Sequence, residues 1–283
     1  MTASPLQGEL DDNVVQRRST LRAEEQGEAM TTSSEILQVE ALGCSFGGIF
    51  AVQDASFVVK SEGITGLIGP NGAGKSTIIS LVAGSTRPDS GSVRFAGEDI
   101  TGLKAHQIAR KGLVRTFQKS NLFARMTVLE NLLVGVTSMK GDSYVDALLG
   151  RWRWQQAEAK LVDDARELLV RFKMDRYEDT YAGELSGGEK RMVELMRAMM
   201  AQPKMLILDE PMAGVNPTRA REIGGHLREL ADEGLAILVV EHEMVFIEQV
   251  CNRVIVMAQG SVLAEGTMAE LRRNREVIDA YLS

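Results

Sequence analysis

The chain has 283 residues, a formal net charge of −7 and 44% hydrophobic residues. A chain of this length can bury a substantial core, and its composition is that of an ordinary globular protein, which excludes collagenous and wholly disordered classes. The acidic balance argues against nucleic acid as the main partner, because phosphate binding usually leaves a basic footprint. No apolar run approaches the ~20 residues of a membrane-spanning helix. Cys44 and Cys251 are too few for a disulfide framework and are expected to be buried thiols.

Residues 1–34 differ from the rest, because they are polar, contain no aromatic residue and show little apolar periodicity. Such a segment cannot bury enough surface to offset its ordering entropy. It does not have the apolar stretch of about 7–15 residues of a secretory signal. Two explanations stay open: a disordered N-terminal extension, or a translation start assigned upstream of one near Met30. A folded domain is expected over residues 35–283.

The first part of this domain predicts short strands around one helix. Alternating or continuous apolar residues indicate the strands, and turns rich in glycine separate them. In chain order the elements are a strand carrying Ile36, Val39 and Leu42, the strands Ala51–Val59 and Ile64–Ile68, a helix over Thr77–Ala83, and the strand Ser92–Ala96.

The middle of the chain predicts helices. Apolar residues recur at helical spacing over Gln155–Met174, which gives one face of an amphipathic helix. A second helix is predicted over about Glu189–Ala201. Its methionine stripe is interpreted as core rather than as a special site: Met192, Met196, Met199 and Met200.

The C-terminal third alternates strand and helix. The predicted elements are the strand Met205–Leu208, the helix Thr218–Glu233, the strand Leu235–Val240, the helix Met244–Cys251 and the strand Arg253–Met257. This alternation predicts an α/β fold with a parallel sheet covered by helices. Ligands of such sheets bind beyond the carboxyl ends of the strands.

One motif lies directly after the strand Ile64–Ile68 and before a helix, and it satisfies G-x-x-x-x-G-K-[ST]. Its glycines let backbone N–H groups surround phosphate oxygens, and the helix N-terminus adds unpaired donors. The lysine would reach the β- and γ-phosphates and the serine hydroxyl would bind Mg²⁺. The motif therefore predicts a nucleotide phosphate site made of Gly69, Pro70, Asn71, Gly72, Ala73, Gly74, Lys75, Ser76 and Thr77.

Two carboxylates end the predicted strand at Met205–Leu208. Alone they would usually be a solvated turn. In a chain with a phosphate loop, Asp209 is suited to hold Mg²⁺ and Glu210 to polarise a water for attack on the γ-phosphate.

A third motif, Leu185–Glu189 (sequence LSGGE), is a small-residue turn before a helix and could bind a second anion. It could equally be a helix cap, because Ser186 is followed by Glu189 three residues later. These residues leave both interpretations open.

The order of the three motifs resembles the ATP-binding cassette (ABC) ATPases, and the resemblance covers about residues 36–283. It implies a P-loop ATPase fold with an N-terminal antiparallel β subdomain, an inserted helical subdomain at about 120–200 and a C-terminal tail at about 260–283. It also implies that Phe46 stacks on adenine, that Gln118 contacts Mg²⁺, and that His242 contacts the γ-phosphate. The turn Gly214–Pro217 matches the family's D-loop, with Asn216 where an aspartate is usual.

Because one chain carries one phosphate loop and one LSGGE, the resemblance implies a head-to-tail dimer with an identical or sister ATPase. Ser186, Gly187 and Gly188 would then complete the ATP site of the other subunit. A permease in the membrane would contact residues 119–184. The chain itself would lie peripherally on the cytoplasmic side of the plasma membrane.

Within the family, the chain is most similar to the ATPases of branched-chain or hydrophobic amino acid importers. The features that carry this are Phe46–Val52, the D-loop and the tail Glu276–Leu282. An external substrate-binding protein would act through the permease. Urea or amide importers and lipopolysaccharide export share parts of the pattern and stay as alternatives.

ABC ATPases that act on DNA or ribosomes are less favoured. The interval from Lys75 to Ser186 has no room for a long coiled coil, and the chain has one cassette rather than two. A small-molecule kinase would have no use for LSGGE and His242.

Overall fold

The computed structural model describes residues 35–116, 121–136 and 151–282. From Ile36 onward the chain forms one compact unit. Within the described ranges there are ten strands: β1 Glu35–Phe46, β2 Ile49–Lys60, β3 Ile64–Ile68, β4 Ser90–Phe95, β5 Glu98–Asp99, β6 Leu113–Arg115, β7 Met205–Asp209, β8 Ala236–Val240, β9 Arg253–Ala258 and β10 Ser261–Gly266.

The larger sheet has six strands in the order β10-β9-β3-β8-β7-β6. The pairs β3–β8, β3–β9, β7–β8 and β6–β7 are parallel, whereas β10 pairs with β9 in the antiparallel sense. The predicted parallel sheet is therefore confirmed. Because β8 lies between β3 and β7, it brings the ends of three apolar strands side by side.

The central strands are buried on both faces. Along β8, Ile237 and Val239 join one hydrophobic cluster, whereas Leu238 and Val240 join the other. Successive strand side chains point to opposite faces of a sheet, so the two clusters are the two layers that cover it. This is why the strand reads as a continuous apolar run rather than as an alternating one.

The smaller sheet has four strands in the order β2-β1-β4-β5. β4 is antiparallel to both β1 and β5, as the expected N-terminal antiparallel subdomain requires. The start of β2 also contacts the end of the larger sheet, because the Gln53 N–H donates to the Gly260 carbonyl at 2.8 Å. This contact holds the β1–β2 turn close to the nucleotide motif.

Helices cover the larger sheet. Within the described ranges the α-helices are α1 Lys75–Val82, α2 Ala105–Arg110, α3 Val128–Leu133, α4 Arg151–Arg171, α5 Gly187–Met199, α6 Pro217–Asp232, α7 Met244–Val250, α8 Met268–Leu271 and α9 Arg275–Leu282. No helix in these ranges is both long enough and apolar enough to cross a membrane.

The longer predicted elements are present, and no end is shifted by more than four residues. The methionine stripe of α5 is core, as expected: Met192 and Met196 are 1% and 0% exposed. Sequence patterns missed the short or half-buried elements, among them β6, β10 and α3. β10 has intermediate burial along most of its length, so neither alternation nor a continuous apolar run marks it.

Candidate functional site

Four neighbouring strand ends form the candidate site. β3 ends before Gly69, β8 before Glu241, β7 at Asp209, and β6 at Arg115. The parallel register places these ends at one edge of the sheet, where α/β proteins bind ligands. The phosphate loop, the two acidic residues and His242, which are far apart in sequence, therefore meet at one place.

The phosphate loop packs against backbone from two other strands. Gly74, the N-cap of α1, has φ 95°, and a Cβ there would lie 2.5 Å from the Ala51 carbonyl oxygen. A Cβ on Gly69 would lie 2.2 Å from the Met257 carbonyl oxygen. Both glycines are therefore required for this loop. No side chain caps α1, and its first turn carries no acidic residue.

Lys75 lies at the first position of α1 and turns back over the loop. Its Nζ donates hydrogen bonds to the carbonyl oxygens of Gly69 at 2.7 Å and Pro70 at 3.0 Å. Burial lowers the pKa of Lys75, and the nearby charges of Glu210 and Asp209 oppose this effect. The lysine is therefore within electrostatic reach of both acidic residues.

Asp209 is 3% exposed and pairs with Arg115, whose Nη2 lies 2.8 Å from Oδ2. The same guanidinium also donates to the Ser80 hydroxyl at 3.2 Å. This ion pair joins the ends of β6 and β7. No sequence motif pointed to it, because Arg115 comes from a three-residue strand that the patterns did not predict.

The donors for Mg²⁺ fit a site that the nucleotide completes. Among the described residues, no three His, Cys, Asp or Glu side chains form a group that could hold a metal alone. The exposed hydroxyl of Ser76 and the carboxylate of Asp209 are oxygen donors of the kind Mg²⁺ prefers. Mg²⁺ is usually bound by one or two carboxylates together with substrate phosphates and water.

Glu210 follows β7 in a left-handed backbone conformation with φ 48°. Its N–H donates to the Val240 carbonyl at 2.9 Å, which attaches it to the end of β8. His242 lies two residues past that carbonyl, and its side chain is 69% exposed. One backbone hydrogen bond thus joins the segments that carry the two predicted catalytic residues, and the imidazole is exposed enough to reach a ligand.

The sequence patterns missed Glu241, which is 1% exposed. Its carboxylate accepts hydrogen bonds from the N–H groups of Met212 at 2.8 Å and His242 at 3.2 Å. Burial raises the pKa of Glu241, while these two bonds oppose the rise. The available signal was a charged residue directly after a buried strand. The sequence analysis assigned a role to the adjacent His242 and none to Glu241.

The LSGGE turn is a helix cap. Ser186 is the N-cap of α5, and the Glu189 carboxylate accepts from the Ser186 N–H at 2.8 Å and from its hydroxyl at 2.6 Å. Tyr177 donates to the same carboxylate. Burial raises the pKa of Glu189, but the bonds from Ser186 and Tyr177 and the charge of Arg219 outweigh it and lower the pKa to about 2.

The turn packs beside the D-loop match. A Cβ on Gly187 would meet the Gly214 carbonyl oxygen at 3.5 Å, and one on Gly188 would meet the Arg219 Cγ at 3.0 Å. Asn216 is the N-cap of α6, and its side-chain oxygen accepts from the Arg219 N–H at 3.0 Å. Asparagine caps a helix as well as aspartate does, so the departure from the family pattern keeps the local structure.

Phe46 ends β1 at the turn that leads into β2, and it is 55% exposed. The Ala51 carbonyl in β2 touches the phosphate loop, so this ring lies on the strand pair that borders the site. An exposed aromatic ring beside a phosphate loop is suited to stack on a base. Gln118 lies outside the described residues.

A cavity of about 340 Å³ lies next to the end of β6. Its wall includes Arg115 and Thr116 on one side and the α5 residues Glu194 and Arg197 on the other. Asn121 ties the two sides together, because its N–H donates to Glu194 and its carbonyl accepts from Arg197. The cavity therefore lies between the sheet and the helical part of the chain.

Two family models match the chain. The model described as ABC transporter matches residues 52–213. The model described as branched-chain amino acid ATP-binding cassette transporter matches residues 261–282, which contain β10, α8 and α9.

Curated relatives match over most of their length. The high-affinity branched-chain amino acid transport ATP-binding protein BraF of Pseudomonas aeruginosa is 37% identical over 88% of this chain and 98% of its own. A probable branched-chain amino acid transport ATP-binding protein, LivG of Archaeoglobus fulgidus, is 40% identical over 88% and 95%. A solved ADP conformation of an ATP-binding cassette of an ABC transporter is 36% identical, covers 88% of this chain and 99% of its own, and superposes with a TM-score of 0.77.

Proposed function

Because the chain belongs to the ATP-binding subunits of ABC transporters and is an ATPase, we propose that it powers the import of branched-chain or other hydrophobic amino acids. The observation that carries the substrate class is the match of the branched-chain amino acid transporter model to residues 261–282. Two relatives at 37–40% identity over 88% of the chain are named as branched-chain amino acid transport ATP-binding proteins, which supports it.

ATP binds at the carboxyl edge of the larger sheet. The N-terminus of α1, which no side chain caps, offers N–H donors to the phosphates. Lys75 moves its ammonium group from the loop carbonyls to the β- and γ-phosphate oxygens. Phe46 stacks on the adenine ring, which its exposure supports.

Ser76, Asp209 and Gln118 would hold Mg²⁺, directly or through water. The ion, when bound, neutralises charge on the β- and γ-phosphates. Glu210 accepts a hydrogen bond from the attacking water, and His242 donates one to a γ-phosphate oxygen. The water oxygen forms a bond to the γ-phosphorus as the bond to the bridging oxygen breaks, which leaves ADP and phosphate.

The LSGGE turn acts on the nucleotide of a second ATPase subunit. In this chain the LSGGE turn contacts Gly214 and Arg219, whereas the phosphate loop contacts Ala51 and Met257. These different neighbours support an arrangement in which the turn of one chain faces the phosphate loop of a second chain, head to tail. ATP then favours the closed dimer, because its γ-phosphate contacts both chains. Hydrolysis removes this shared contact, so the two chains separate.

A permease loop docks in the cavity beside β6 and α5. Its wall includes residues from both sides of the segment that carries Gln118, which supports a link between docking and the nucleotide. The chain lies on the cytoplasmic face of the membrane in this arrangement. An external binding protein delivers the amino acid to the permease.

Uptake in the source organism tests the substrate class. Cells that lack this gene would be supplied with radiolabelled leucine, valine or urea, and complemented with the parental chain or with Glu210→Gln. We expect leucine and valine uptake to be lost on deletion and restored only by the parental chain. Unchanged amino acid uptake with lost urea uptake would overturn the proposed substrate.

A further inference from the structure

The buried carboxylate of Glu241 has no part in the roles assigned so far. It follows β8 directly and is 1% exposed. Burial of a carboxylate is costly unless its oxygens are hydrogen-bonded. A residue that is retained at such a cost and bonded on both oxygens is suited to hold its surroundings in place.

The bonds of Glu241 join the two segments that carry the proposed catalytic residues. One oxygen, Oε1, accepts from the Met212 N–H at 2.8 Å, two residues after Glu210. The other, Oε2, accepts from the His242 N–H at 3.2 Å and lies 3.7 Å from the His242 Nδ1. The carboxylate therefore bridges the segment after β7 and the segment after β8.

A backbone bond closes the bridge on its other side. The Glu210 N–H donates to the carbonyl of Val240, the residue before Glu241, at 2.9 Å. The Glu210 carbonyl accepts from Ala213 at 3.2 Å. Glu210 has φ 48°, a conformation that persists in a non-glycine residue only when its surroundings hold it. The Val240 carbonyl, which accepts from Glu210, and the Glu241 carboxylate, which accepts from Met212, supply that restraint from the end of β8.

We propose that Glu241 is a positioning residue for hydrolysis, which holds the Glu210 segment against the His242 segment so that the attacking water and the γ-phosphate meet in line. This inference rests on the roles proposed for Glu210 and His242. Errors of about 1 Å in such an arrangement can lower a rate about a hundredfold. Removing the bridge is therefore expected to slow the chemical step more than it weakens binding.

The main test replaces Glu241 with glutamine in the full chain. The amide keeps the shape, but only its oxygen can accept, so one of the two N–H groups loses its partner. We expect kcat for MgATP to fall about ten- to a hundredfold, with KM and the dissociation constant for a fluorescent ATP analogue changed less than about twofold. A parental kcat in this variant, while Glu210→Gln is slow, would overturn the inference and leave the proposed function intact.

A matched control separates positioning from loss of stability. Ile237→Val, in the same strand, removes a buried methylene without touching the bridge and lowers the melting temperature. We expect it to keep the parental kcat. If it slows hydrolysis as much as Glu241→Gln does, the effect comes from stability alone and the inference is wrong.

The double variant shows whether Glu241 acts through Glu210. When Glu210 is already glutamine, misplacing it has little further effect, so Glu210→Gln with Glu241→Gln should hydrolyse ATP no slower than Glu210→Gln alone. Losses that multiply would contradict positioning through Glu210. An absence of MgATP hydrolysis in the parental chain would instead count against the proposed function.

Discussion

Two glycine-rich turns begin helices in this chain, and they differ in how the helix N-terminus is satisfied. At α1 no side chain caps the first turn, and the positive lysine follows directly. At α5 the turn is self-contained, because Ser186 and Glu189 cap the helix reciprocally and place a negative charge in its first turn. The comparison indicates that α1 keeps its donors for phosphate, whereas α5 is already stable before any partner arrives.

The largest effect on the difference between the two turns is expected from replacing Lys75, the lysine of the first turn. Lys75→Ala should lower ATP hydrolysis about a hundredfold or more, because in the proposed arrangement its ammonium group is the side-chain charge that stabilises the β- and γ-phosphates. Steady-state hydrolysis and binding of a fluorescent ATP analogue measure the effect. Parental hydrolysis in this variant would mean that the uncapped turn does not bind the phosphates.

A bulky residue in the second turn should block closure without harming the fold. A Cβ on Gly187 meets its nearest neighbour, the Gly214 carbonyl oxygen, at 3.5 Å, so the leucine of Gly187→Leu begins from an ordinary contact within its own chain. We expect at least about a tenfold loss of hydrolysis, with an unchanged melting temperature and ATP affinity. Size-exclusion chromatography with ATP should show loss of the dimer. A variant that dimerises and hydrolyses normally would exclude a role in trans.

Alanine in place of one glycine in each turn compares the packing of the two turns. Gly74→Ala places a Cβ 2.5 Å from the Ala51 carbonyl oxygen at φ 95° and should cost about 1–3 kcal/mol of unfolding free energy. Gly187→Ala should stay within about 0.5 kcal/mol of the parent. Urea unfolding measures both. Equal losses would show that the first turn is not the more constrained one.

The charge in the second turn should matter least, and in a pH-dependent way. The folded pKa of Glu189 lies at about 2, below its ordinary 4.5, so its carboxylate stabilises the fold fully above pH about 4.5 and loses this effect as the pH falls toward 2. Glu189→Gln keeps a capping side chain and should cost about 1 kcal/mol at pH 7. Unfolding measured at pH 7, 4 and 3 should show the difference shrinking with acidity; a constant difference would contradict the charge argument.

The sequence predicted those elements whose structure depends on one local residue pattern. Strand β3, which is buried along its whole length, was predicted with its bounds, and the glycine pattern of the phosphate motif follows it directly. Both are local signals, because each can be recognised in a short stretch of sequence. The ion pair of Arg115 with Asp209 and the bridge at Glu241 could not be predicted. Each joins segments that are distant in sequence, and the strand order that brings them together is set by the whole sheet.

Because the side chains of β8 alternate between two apolar layers, hydrophobic burial does not by itself determine the register of this strand in the sheet. All five of its residues are apolar, so a slip by one position would exchange the two faces and still bury only hydrocarbon. Hydrophobicity alone would therefore accept the shifted strand. The carboxylate that follows would not, because the slip would move it away from the amides that now satisfy it. The buried carboxylate of Glu241 therefore favours the observed register of β8, which apolar burial alone would leave unspecified.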